Sequence, residues 1–137
     1  RSSGVIFTES KLFLMKIEVS NGEIADKLTI IELKLERISD PDKLKNLKKE
    51  YAILDEAVMS FMKKDDPLYR ELYQINSELW EIEDRIRDLE RNKDFGEEFI
   101  QTARSVYFSN DKRSEIKRKI NMITGSGLVE EKSYEKY

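Results

Sequence analysis

The chain has 137 residues, 39% charged and 39% hydrophobic, with 5 Gly, 2 Pro and a net charge of −3. That combination describes one domain of long, surface-charged helices around a single core, with no global basic field to attract nucleic acid or acidic lipid. With neither Cys nor His, disulfides, thiolate metal sites, Cys nucleophiles and every histidine relay are excluded, and a metal would need oxygen ligands alone. No apolar run approaches the roughly 18 residues of a membrane span. The expected setting is the cytoplasm, which the lack of Cys fits.

Residues 1–14 read as foreign to the rest. The opening Arg1-Ser2-Ser3-Gly4-Val5 is similar to the linkers left by expression tags, and Met15 then serves as the native start of a single domain, 15–137. The native alternative is a strand pair, residues 5–8 turning through 9–11 into 12–19. Met15-Lys16-Ile17-Glu18-Val19 alternates apolar and charged, which predicts a strand or an extended lead-in, with Leu128-Val129 as its available partner.

The first helix is predicted from Ser20 to Ile38. Ser20 as N-cap with Glu23 three residues on forms a capping box. Ile24, Leu28, Ile31, Leu35 and Ile38 then follow at heptad-like spacings, while Ile30 and Leu33 lie on other sides and widen the apolar surface. Asp40-Pro41 ends this helix and starts the second, as N-cap and first-turn proline. The second carries Leu44, Leu47, Tyr51, Leu54, Val58 and Phe61, and Asp66-Pro67 repeats the stop-and-start device.

The third helix carries the most regular heptad, Leu68, Leu72, Ile75, Leu79, Ile82, Ile86 and Leu89, with Tyr69, Tyr73 and Trp80 as a second stripe. Gly96 is the expected C-terminal cap. The fourth helix opens on Glu97 and Glu98, which suit its N-terminal dipole. It changes register between Val106-Tyr107 and Ile116, predicting a kink or break at Ser109-Asn110-Asp111. Gly125-Ser126-Gly127 ends it, and the tail retains Leu128, Val129, Tyr134 and Tyr137 for docking.

Short turns predict antiparallel neighbours. The second and third helices, read as about 25 residues each, would form a hairpin about 37 Å long at ~1.5 Å per residue. Part of it would project beyond the shorter first helix and offer a heptad face to a second copy.

Val19-Ser20, Gly22-Glu23, Asp26-Lys27-Leu28-Thr29-Ile30 and Lys34-Leu35-Glu36-Arg37-Ile38 stand at one end of the chain. Asn110-Asp111-Lys112-Arg113, Ile116-Lys117-Arg118, Ile120-Asn121, Gly125-Ser126 and Glu130-Glu131-Lys132-Ser133-Tyr134 stand at the other. On these residues, in this order, the chain resembles a small uncharacterised family of bacterial and phage helical proteins over residues 15–137. The resemblance implies no known activity and assigns no catalytic residue.

Four constellations bear on function. Asp26, Lys27, Glu32, Lys34, Glu36 and Arg37 of the first helix are set against a polar cluster of the fourth. One reading is a ligand pocket in which Lys27, Lys34, Arg113 and Lys117 hold a phosphate or carboxylate. The other is a set of ion pairs locking the two helices together. The basic run Lys112-Arg113 to Lys117-Arg118-Lys119, with Arg104, gives residues 104–119 a net charge of +4 and leaves −7 elsewhere. Lysines in last helical turns complement the helix dipole, and nucleic acid is the disfavoured reading. Glu78, Glu81 and Asp84 form acidic steps with no second pair to complete an oxygen shell for Mg²⁺. The stripe Tyr69, Tyr73, Trp80 is either a docking surface or, more commonly, a face packed on another helix of the same chain.

These readings converge on an all-α, antiparallel helical bundle of three long helices plus a kinked fourth, with a short extended N-terminal lead-in. The expected function is that of a non-enzymatic interaction protein, self-associating or bound to another protein. It would have a polar groove between the first and fourth helices and need no cofactor or metal. The alternative is an enzyme or ligand-binding protein for a phosphorylated or nucleotide-like small molecule.

Overall fold

Two Asp-Pro steps, one serine cap and one glycine divide the described residues into four helices. These are α1 (Asn21–Arg37), α2 (Pro41–Met59), α3 (Pro67–Arg91) and α4 (Glu97–Ile123). A computed structural model describes residues 15–127. The segment 1–14, whether tag remnant or strand pair, and the tail residues Leu128, Val129, Tyr134 and Tyr137 lie outside the described residues. Met15 and Ile17 are exposed, and residues 15–19 form no strand with any described residue.

The three predicted N-cap side chains accept from the first turns of their helices. Ser20 Oγ accepts the Glu23 N–H (3.2 Å), Asp40 accepts from the Asp42 and Lys43 N–H groups, and Asp66 accepts from Leu68 N–H (2.9 Å). Each satisfies donors that a helix leaves unpaired in its first turn. The two prolines follow at positions where a missing N–H costs nothing. At the far end of α4, Gly125 takes φ +68° and the Ser126 N–H reaches the Asn121 carbonyl at 2.9 Å, a Schellman closure.

The predicted Gly96 cap of α3 is corrected. Asn92 ends α3, and Lys93 takes the left-handed position at φ +52°. Lys93 N–H bonds Glu90 O and Asp94 N–H bonds Leu89 O, so the Schellman closure forms three residues earlier than expected. Gly96 instead precedes α4 with an ordinary extended backbone, as its N-cap. Of the kink or break predicted at Ser109-Asn110-Asp111, the break does not occur, since α4 is one helix from Glu97 to Ile123. Each of those residues costs a helix well under ~1 kcal/mol, less than packing along α3 returns.

The pairing of helices also differs from expectation. α2 packs on α1 and not along α3, while α3 packs along α4, and α1 touches all three of the others. The reason is the breadth of α1's apolar surface. Ala25, Leu28, Ile31 and Leu33 are all buried, which covers more of the circumference than one stripe. α1 therefore serves as the central helix, with α2 on one side and the α3–α4 pair on the other. The main cluster joins Ala25 and Leu28 to Val58, Met62, Tyr69, Leu72, Ile75, Ile116 and Ile120. The predicted seam of α2 does face inward, with Leu47 and Val58 buried and Tyr51 and Leu54 partly so.

α1 and α4 approach most closely at Gly22. A Cβ placed there would stand 2.4 Å from the Lys117 carbonyl oxygen and 3.0 Å from Asn121 Oδ1. Because the first obstacle is backbone, Gly22→Ala must push the helices apart. We expect a loss of about 1–3 kcal/mol in denaturant unfolding, overriding the helix-propensity gain of Ala. Gly127→Ala, whose added Cβ meets nothing within 4 Å, should stay within about 0.5 kcal/mol of the parent. Equal stability of the two variants would refute the close approach.

Candidate functional site

Asp26 is the most deeply buried charge of the described chain, at 1% exposure in the middle of α1. A carboxylate in that position is tolerable only when its oxygens are fully engaged by donors. Arg113 of α4 supplies a two-pronged contact, Nε to Oδ1 at 2.9 Å and Nη2 to Oδ2. Asn76 of α3 donates Nδ2 to Oδ1 at 2.8 Å, and Lys117 stands 3.8 Å from Oδ2. Asp26 thus ties three helices at one point. Thr29 extends the network, donating to the Asp26 carbonyl (2.7 Å) and accepting from Asn76 Nδ2 (2.8 Å).

One turn earlier, Lys117 Nζ donates to Glu23 Oε2 at 2.7 Å, so the second arm of the capping box is given over to α4. Three N–H groups at the start of α1 are also answered. Asn21 N–H donates to Ser126 Oγ (3.1 Å), Gly22 N–H to Asn121 Oδ1 (2.6 Å) and Glu23 N–H to Ser20 Oγ. Asn21 Nδ2 reaches Thr124 Oγ1 at 2.9 Å. The end of α4 therefore acts as a tertiary cap for α1.

Of the four predicted ligand-holding cations, Arg113 and Lys117 come together here, facing Glu23 and Asp26. Lys27 lies at the edge, 55% exposed and 3.9 Å from Glu23. Lys34, two turns along α1, makes no ion pair with any described residue. The remaining α1 charges answer α3 and the α2–α3 connection, not α4. Glu32 accepts from Tyr69 and pairs with Lys64 at 3.5 Å. Glu36 accepts from Tyr73. Arg37 donates to Glu81 at 2.6 Å and lies over the Trp80 ring at 5.2 Å. The aromatic stripe is accordingly a face packed on α1, with Tyr69 buried and Tyr73 and Trp80 half-buried. Glu81 is taken by Arg37, and among the described residues no three carboxylates converge as a metal cluster would require.

Beside the Asp26 network lies a cleft of about 480 Å³. It is bounded by Ile30 and Leu33 of α1, by Asn76, Trp80, Asp84 and Arg87 of α3, and by Asn110 and Arg113 of α4. The cleft thus has walls from α1, α3 and α4. Sequence reasoning missed Asn76 and Thr29. The available signal was a polar residue, Asn76, set directly beside Ile75 inside the seam of α3.

A family model described as a family of unknown function, DUF6165, matches residues 15–137. The chain belongs to DUF6165. No curated protein and no solved structure matches it. In this DUF6165 chain the two segments that carry the sequence resemblance are the two that the network joins. Gly22, Glu23 and Asp26 come from one, and Arg113, Lys117 and Asn121 from the other.

Removing one partner of a buried pair strands the other, so Arg113→Met should cost about 3–5 kcal/mol. Lys27→Met removes only a surface contact and should cost no more than about 0.5 kcal/mol. Chemical denaturation of the two variants checks this, and a mild Arg113→Met would mean that Asp26 does not depend on its guanidinium.

Burial and hydrogen bonding also shift groups around Glu32 and Glu36. Tyr73, donating to Glu36, partly buried and near Glu32, has its pKa pushed up to about 12 against the opposing pull of Arg37. Tyr69 moves the same way, first by burial and then by its bond to Glu32. Lys64 is raised too: burial favours its neutral form, but Asp55 at 2.5 Å, Tyr51 and Glu32 outweigh it. Groups with raised folded pKa keep their protons while the unfolded chain releases them. Their stabilisation is fully present below about pH 10, and the part from Tyr73 is lost as pH rises through about 12. Melting temperature should therefore fall above about pH 10, and Tyr73→Phe should flatten part of that fall. An unchanged alkaline profile in Tyr73→Phe would contradict the assignment.

Proposed function

We propose that this protein is an interaction protein that self-associates through the α3–α4 hairpin. The observation that carries the reading is the unequal length of the helices. α1 has 17 residues against 25 in α3 and 27 in α4. Its bonds to α3 run from Tyr69 to Glu81, and those to α4 from Arg113 to Ser126. Beyond these tethers, among the described residues, α3 and α4 continue as a pair of helices. Two helices bury one seam between them and leave their outer faces without cover.

On this arm Leu89 is buried, Ile82, Ile86 and Phe99 are half-buried, and Phe95, Ile100, Tyr107 and Phe108 are 41–52% exposed. Ile100 and Tyr107 are seven residues apart, one heptad along the same side of α4. Arg85 joins Glu98 across the arm at 2.6 Å, and Arg91 joins Asp88 at 3.2 Å along α3, giving a charged rim to an apolar strip. Two such arms side by side complete a four-helix bundle, the smallest arrangement that encloses both outer faces.

The phosphate-binding alternative draws less support from the geometry. Arg113 and Lys117 stand against Asp26 and Glu23, so the local charge is balanced without a ligand.

Sedimentation equilibrium of the full chain should give a dimer. Ile100→Glu combined with Phe108→Glu should weaken it by at least about tenfold, the ~1.4 kcal/mol minimum for losing apolar anchors, with helix content unchanged. A monomer at every concentration would end the self-association reading.

A further inference from the structure

We propose that the cleft between α1, α3 and α4 is a binding site for a neutral nucleoside-like molecule, a flat heterocycle with N–H donors joined to a hydroxyl-bearing group. The argument starts from Asn76, which is 5% exposed. Its Nδ2 donates to Asp26 and to Thr29. An ionised carboxylate only accepts, so this bond fixes the orientation of the amide and turns Oδ1 away from the network. Asn76 Oδ1 accepts from no described residue, is not sealed from solvent, and belongs to a side chain lining the cleft. Open on the cleft and without a donor among the described residues, this oxygen is available to whatever occupies the cleft, water or a bound molecule.

The other walls define the rest of the occupant. Trp80 contributes an indole, held in place by Arg37 over its ring, and Ile30, Leu33 and Leu79 contribute apolar surface. Together they favour a flat ring. Asn110, one turn along α4 from Arg113, makes no hydrogen bond with a described residue and offers both a donor and an acceptor. Asp84 is eight residues from Asn76 on the same helix, ~12 Å away at ~1.5 Å per residue. One heterocycle does not span that distance, whereas a base with its sugar does.

Asp84 makes no ion pair with a described residue, and Glu83 beside it is already joined to Arg87 at 2.8 Å. A free carboxylate at that end accepts from vicinal hydroxyls, as acidic residues do from ribose, and repels phosphate. The volume of about 480 Å³ lies within the range of small-molecule sites. The larger hollow near Glu32 and Lys64 is the weaker candidate. There Glu32, Glu36, Lys64, Tyr69 and Tyr73 satisfy one another.

Trp80 is the only tryptophan, so one indole N–H resonance reports on the cleft. The test titrates the full chain with guanosine, adenosine, cytidine and uridine, and with guanosine 5′-monophosphate, while following that resonance. The expected result is a saturable shift with at least one nucleoside, weakened about fivefold or more in both Asn110→Ala and Asp84→Ala, with weaker binding of the monophosphate. Neither side chain bonds a described residue, so the variants should remain folded. No saturable shift with any nucleoside would overturn the proposal, as would undiminished binding in both variants. Tighter binding of the monophosphate than of guanosine would also overturn it, by marking the cleft as an anion site.

Discussion

The contact between Asp26 and Arg113 organises everything else. A carboxylate at 1% exposure is costly to desolvate, by several kcal/mol even after relaxation, and α1 accepts that cost in its middle. What it gains is position. α1 and α4 are amphipathic helices of a kind that can slide past one another by a turn with little change in apolar burial. A slip of one turn would carry Asp26 to the place of Gly22, where any Cβ meets the Lys117 carbonyl at 2.4 Å. The glycine excludes the wrong register and the ion pair rewards the right one. Asn76 then brings α3 to the same point, so one carboxylate fixes three helices.

This arrangement accounts for charges that are hard to interpret on a helical wheel. α1 is central, so its polar residues face neighbours on several sides and several of them meet partners on different helices. Glu23 and Asp26 point to α4, Glu32 to Lys64 and Tyr69, Glu36 to Tyr73, and Arg37 to Glu81 and Trp80. A short helix of modest apolar content is thereby held by polar contacts along its whole length. Tyr69 and Tyr73 illustrate the consequence: their apolar rings pack on α1 while their hydroxyls end on its carboxylates, which is why both resist ionisation.

Local signals in the sequence were read correctly where they depend on only a few neighbouring residues. Ser20, Asp40-Pro41 and Asp66-Pro67 place helix starts by backbone geometry alone, and the seams of α2 and α3 follow from the 3.6-residue period. Choices that depend on energy summed over a whole interface were not legible. Nothing local says that α2 should prefer α1 to α3, because its seam would serve either. Ser109-Asn110-Asp111 carries the composition of a break, yet long packing along α3 outweighs three small penalties. Gly96 looked like a cap until Lys93, a residue for which the left-handed region is mildly unfavourable, took that role. Asp26 was recognised as unusual only as one of many charges. Within a sequence so rich in Asp and Glu, a carboxylate in the core has the same surroundings in the chain as one in solvent.

The two functional proposals share a structural origin in the length of α1. Where α1 stops near Trp80 and Glu81, a three-helix cross-section becomes a two-helix one. At that transition a cleft opens, lined by Leu33 and Leu79 and, among polar groups, by Asn110 and Asp84. Further along the same pair of helices, Ile100, Tyr107 and Phe108 are 41–48% exposed. The Asp26 network stands at the last level where all three helices are joined, so it supplies the rigid floor of the cleft and the fixed base of the arm. A group bound at that floor would touch α1, α3 and α4 together, and the angle at which the arm leaves the bundle is set by the same three helices.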